Sequence, residues 1–133
     1  MFVDASALVA ILTSETGSDE LLDRLELASD RCTSAIAVYE TVLALCRKRQ
    51  SHVDIVQADL SAFLKAADIH LVAIPPEAGV RAIEAFARYG KGTGHPAQLN
   101  MGDCFAYAMA TIQAAPLLFK GNDFSQTDLA GTR

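Results

Sequence analysis

The chain has 133 residues, of which 51% are hydrophobic and 20% charged, so it has the length and apolar content for one cored domain and is not a disordered chain. A formal charge of −5 excludes attachment to nucleic acid by bulk charge alone, while leaving room for an acidic nuclease site neutralised by metal. No apolar run reaches the roughly eighteen residues of a membrane-spanning helix, and no basic flank precedes the first apolar run, so neither a membrane span nor a signal peptide is expected.

The chain opens with Phe2-Val3, a short apolar run that meets Asp4, after which Ala5, Leu8, Val9 and Leu12 recur at helical spacing. The pattern predicts a brief buried strand with Asp4 at its carboxyl end and a helix running to about Thr13–Glu15. In open α/β sheets ligands bind at that edge. Asp is also a preferred N-cap, so a purely structural role for Asp4 is the competing reading. Ser18 then offers an N-cap for a second helix with Leu21, Leu22, Leu25 and Leu27 as its apolar stripe and an acidic, solvated face. Residues 31–34 are compatible with a second strand.

Residues 35–50 read as a strong helix closed by Arg47-Lys48-Arg49, which suit a C-terminal dipole. Glu40 is the only charge between Arg31 and Arg47, and Ala37 and Ala44 flank it at helical spacing. A buried glutamate is costly unless paired or metal-bound; the alternative is that it faces water. Val53 to about Ile69 predicts another helix, with Val53, Val56, Leu60, Phe63 and Leu64 inward. A third strand is expected over residues 70–74, ended by Pro75-Pro76. The next helix, Glu77 to Tyr89, carries Val80, Ile83, Phe86 and Ala87 at helical spacing. Residues 90–96 lack the spacing of a phosphate loop and read as a flexible loop at a substrate mouth.

Asn100 can cap a further helix and place Asp103 in its first turn, where negative charge suits the dipole. Asp103 is also the only Asp, Glu, Lys or Arg between Gly92 and Phe119, and Gly102 beside it leaves room for close approach. Leu117-Leu118-Phe119 predicts a fourth strand, followed by a turn carrying Asn122 and Asp123, residues that are also ordinary in turns. No repeat or linker divides residues 1–133, so a single domain is expected. Cys32, Cys46 and Cys104 form no C-x-x-C pair and His52, His70 and His95 are scattered. A zinc site is therefore not expected, and the cysteines suit the reduced interior of a cytoplasmic protein.

Four carboxylates thus fall at comparable places: Asp4, Glu40, Asp103 and Asp123. An α/β pattern brings strand ends to one edge of a parallel sheet, and like charges gathered there repel unless a cation joins them. Oxygen-only ligands suit Mg²⁺ or Mn²⁺, ions that activate water and steady charge in phosphodiester cleavage.

The motifs resemble those of the PIN domain, specifically the VapC ribonuclease toxins of toxin–antitoxin pairs. The resemblance is carried by residues 3–8, by Glu40, by residues 100–108, and by Gly121-Asn122-Asp123-Phe124 with Thr127-Asp128. It implies a three-layer α/β fold with a short parallel sheet of four to five strands flanked by helices, and Mg²⁺-dependent endonucleolytic cleavage of RNA. Asp4, Glu40, Asp103 and Asp123 would be the catalytic and metal-binding acids, with Ser6 positioning a water or phosphate and Asn122 orienting Asp123. Asp128 would be an outer acid or a surface residue. The resemblance also implies a homodimer held by a protein antitoxin, for which the leucine-rich first two helices offer an apolar surface. Arg47, Lys48, Arg49, Arg88, Lys91 and Lys120 are candidates for RNA contact. From another class, the runner-up is a catalytically weak, dimeric antitoxin-binding module. A haloacid-dehalogenase phosphatase is disfavoured because Ser6 stands where a second aspartate is needed, and a receiver domain because the first strand carries only one acid.

Overall fold

The computed structural model describes residues 1–130. At its centre lies a four-stranded sheet in the order β3-β2-β1-β4, with every pairing parallel. The strands are β1 (Phe2–Val3), β2 (Cys32–Thr33), β3 (His70–Leu71) and β4 (Leu117–Leu118). Between and around them run α1 (Ala5–Leu12), α2 (Ser18–Leu27), α3 (Ala35–Arg49), α4 (Val53–Ala66), α5 (Pro76–Tyr89) and α6 (Met101–Ile112). This is the three-layer α/β arrangement expected, with four of the four to five strands.

Two residues per strand suffice because each residue serves one face of the sheet. Phe2, Cys32 and Leu117 point into a core built with α5 and α6. Val3 and Leu118 point the other way, into a core of Leu8, Leu21, Leu25, Leu60 and Leu64. Phe2, Val3, Leu117 and Leu118 are fully buried. Burial on both faces is what a parallel sheet requires, and it explains why these strands read as unbroken apolar runs. In contrast, β3 is an exposed edge that ends at Leu71 rather than continuing to residue 74.

Local signals set most helix ends. Asp4, Ser34 and Asn100 all cap through their side chains. Pro76 opens α5, where its missing N–H is harmless. The first helix stops at Leu12, short of the expected end, because Ser14 turns to φ 52°.

The facing of α5 does not follow the spacing of its large apolar residues. Val80, Ile83 and Phe86 are 58%, 69% and 50% exposed, and the buried side is Ala78, Ala82, Ala85 and Tyr89. The packing partner is α6, and both helices bring small side chains to the core they share, which favours close approach. Val53, expected inside, is 58% exposed at the first position of α4. In α1 and α2, Leu8, Val9, Leu21 and Leu25 are buried, Leu12 and Leu22 are partly covered, and Leu27 is left out.

Candidate active site

Asp4 follows β1 directly and caps α1, and it is almost wholly buried. Its Oδ2 accepts hydrogen bonds from the Ser6 amide at 3.0 Å and from the Ser6 hydroxyl at 2.5 Å. The same Ser6 Oγ accepts from the Lys120 amide at 3.0 Å, while the Asp4 amide donates to the Leu118 carbonyl at 3.0 Å. Thus Ser6 fastens the exit of β1 to the exit of β4, and Asp4 is held in that seam. Burial pushes its carboxyl above the usual range, the Ser6 and Ala5 bonds pull it down, and Asp123 raises it further.

Glu40 is half-buried on α3, which packs against both α1 and α6. Desolvation, followed by the Asp4 charge, lifts its carboxyl to about 7. Asp103 occupies the first turn of α6 in a reciprocal cap: its amide donates to Asn100 Oδ1 at 2.9 Å, and the Asn100 amide donates to Asp103 Oδ2 at 3.1 Å. Burial lifts Asp103 to about 7 against the lowering effect of the Asn100 bond, with added repulsion from Asp4, Asp123 and Glu40. Capping and crowding among acids therefore operate on the same side chain.

Asp4, Ser6, Glu40 and Asp103 line one cleft of about 600 Å³. Asp123 is exposed and does not form its wall, yet its charge reaches Asp4 and Asp103. It begins the 3-10 turn Phe124–Gln126, pinned by buried Phe124 against Phe119 with ring centroids 5.2 Å apart. The acids surround the cleft without closing on a point. Among the described residues no group of three or more His, Cys, Asp or Glu side chains is drawn together tightly enough to hold an ion directly.

Other expected participants lie elsewhere. Asn122 lines a separate depression with Gly17, Glu20 and Arg24 rather than the acidic cleft. Asp128 accepts a 2.7 Å bond from the Tyr107 hydroxyl and faces Arg88 at 3.7 Å, so it anchors the C-terminal turn to α5 and α6. The glycine-rich segment lines its own shallow depression through Gly92, Gly94 and His95. Of the six basic candidates, only Arg47 and Lys120 line the cleft. Lys48 pairs with Glu15 and Arg49 with Asp59, both at 2.9 Å, and Arg88 also stacks over Tyr89. Glu15 itself is a cleft residue that the sequence reading passed over, since nothing in its helix-end surroundings marks it.

The raised carboxyls have a measurable consequence for the metal-free fold. Glu40 and Asp103 carry folded values near 7 against ordinary values of 4.5 and 3.8. Between those limits the folded chain binds more protons than the unfolded one, so their contribution to stability is highest in acid and is lost as pH rises through about 7. Asp103→Asn removes one such group. Its melting temperature in chelator is expected to exceed wild type by a margin that widens between about pH 5 and pH 8. A margin that stays constant or shrinks across that range contradicts the assigned crowding.

The PIN-domain family model matches residues 1–129. A VapC ribonuclease of Rhizobium meliloti is 46% identical over 141 aligned residues, covering 96% of this chain and 98% of the relative. Ribonuclease VapC42 of Mycobacterium tuberculosis is 35% identical, covering 97% and 96%. The crystal structure of Mycobacterium tuberculosis VapC20, described as a sarcin–ricin loop cleaving toxin, shares the fold with a TM-score of 0.70 over 93% of this chain and 92% of that one, at 16% identity. The chain belongs to the PIN-domain family and, within it, to the VapC ribonucleases.

Proposed function

We propose that this chain is a Mg²⁺-dependent endoribonuclease, the toxin of a toxin–antitoxin pair, and that Asp4, Glu40, Asp103 and Asp123 are its working acids. The observation that carries the reading is one cleft in which Asp4, from a strand exit, and Glu40 and Asp103, from two helices, come together with raised proton affinity. Kinship with proteins named VapC ribonuclease supports the reaction class.

The donor set fits a hard cation. The side-chain ligand atoms lining the cleft are carboxylate and hydroxyl oxygens, with no His or Cys, which suits Mg²⁺, with Mn²⁺ as a substitute, over zinc. Mg²⁺ keeps several of its waters and takes one or two carboxylates directly, so it does not require all the acids to converge. Asp4, Glu40 and Asp103 would hold it, with Asp123 beyond them. Bound there, the ion would supply an activated water and neutralise charge on the phosphate.

The chain's own residues divide the remaining work. Ser6 keeps Asp4 Oδ2 fixed through two donors. Hydrolysis adds water oxygen to phosphorus and breaks a P–O bond; the proton given up by the attacking water would pass to a carboxylate of the cleft, and the leaving ribose oxygen would take up a proton to depart as a hydroxyl. Arg47 and Lys120 line the cleft and take part in no ion pair among the described residues, so they are available to RNA phosphates. The antitoxin is the expected protein partner. A second copy of the chain is expected on the apolar strip of Val80, Ile83, Phe86 and Met101, because exposed patches of this kind mark association surfaces. Among the described residues no helix is long and apolar enough to cross a membrane.

Cleavage of RNA, mapped by sequencing new 5′ ends, is expected with Mg²⁺ and not with chelator. Asp4→Asn, Glu40→Gln and Asp103→Asn should each lower the rate by about 100-fold or more, and Asp123→Asn by less. Arg47→Ala with Lys120→Ala should weaken RNA binding and flatten its salt dependence, with a slope change of roughly two. Acid variants that cleave at the wild-type rate sink the site assignment. For the dimer, light scattering should give twice the chain mass, falling to the chain mass in Ile83→Glu; a wild-type monomer contradicts it.

A further inference from the structure

Gly102 stands immediately before Asp103 in α6 and is buried. Gly102 is the second residue of α6 and is not among the residues with positive φ, so backbone conformation does not call for glycine there. Its surroundings do. A Cβ built on Gly102 would come within 3.0 Å of Oε1, Cδ and Oε2 of Glu40, and these are its three nearest neighbours. No backbone atom of another element is among them. The end of the Glu40 side chain therefore occupies the space that any other residue at position 102 would fill.

We infer that Gly102 is a positioning residue: by lacking a side chain it forms the seat that holds the Glu40 carboxylate beside Asp103 in the acidic cleft. The inference rests on the proposed reading of that cleft and deepens it. Because the group in the way is the tip of a flexible side chain, alanine at 102 leaves α6 intact and instead displaces Glu40. Displacement of a reacting or ligating group by about 1 Å is enough to lower a rate on the order of 100-fold. Gly102→Ala thus separates folding from function: the helix accepts the methyl group, whereas the cleft loses one of its acids.

The test is a double-mutant cycle of Gly102→Ala with Glu40→Asp, read by two signals: melting temperature as Mg²⁺ is titrated, and the RNA cleavage rate. Alone, Gly102→Ala should melt at or above the wild-type temperature in chelator, need at least about tenfold more Mg²⁺ for the same stabilisation, and cleave about 100-fold more slowly. Glu40→Asp withdraws the carboxylate toward α3 and empties the seat. In that background the added alanine should change the Mg²⁺ response by no more than roughly twofold. Three results overturn the inference: wild-type Mg²⁺ response and cleavage in Gly102→Ala, an equal loss of Mg²⁺ response in both backgrounds, or unfolding of both variants in chelator. Failure of the underlying reading looks different, since wild type would then show no Mg²⁺ response or Glu40→Gln would still cleave.

Discussion

Asp4, Glu40 and Asp103 repel one another around a cleft of about 600 Å³, and much of the surrounding structure serves to keep them there. Buried acids would otherwise turn outward or pull the strand exits apart. Two features prevent this. The hydrogen-bonded seam from Leu118 through Asp4 and Ser6 to Lys120 locks the exits of β1 and β4 side by side. The reciprocal cap between Asn100 and Asp103 holds the third acid at the start of α6, while α3 brings Glu40 across from the other layer. The sheet is just long enough to give these exits a common edge, with alternate residues committed to opposite cores.

Much of this was legible in the amino-acid sequence because it rests on local chemistry. Phe2-Val3-Asp4 and Leu117-Leu118 read as buried strands since β1 and β4 are covered on both faces. Asn100 and Asp103 read as a cap because capping is a matter of three-residue spacing. What escaped was set by partners distant in the chain. The facing of α5 could not be read from its own periodicity, because its packing on α6 decides which side is buried. Arg49 is neutralised by Asp59 and Lys48 by Glu15, pairings no local pattern announces. Asn122 lines a neighbouring depression and not the acidic cleft, a placement that its turn sequence does not announce.

The division of the two layers gives the molecule two faces of different character. One carries the acids with Arg47 and Lys120, and suits a charged polymer attracted by phosphate contacts and tolerated by a neutralising cation. On the other side of α6, Ile83, Phe86, Met101 and Phe105 line an apolar groove of about 520 Å³. Because α6 contributes Asp103 to the first and Met101 to the second, an event at the apolar groove lies only two residues from the acids.

The central claim is that the acids act together on a cation, and calorimetry tests it most directly by counting protons. Mg²⁺ would be titrated into the purified chain in two buffers of different ionisation heat, at about pH 6.5 and about pH 8.5. Since Glu40 and Asp103 are held near 7, binding should expel about one proton per ion at the lower pH and almost none at the higher. Asp103→Asn should reduce the proton release. Binding heats that are independent of buffer at both pH values, or no Mg²⁺ binding at all, would contradict the account.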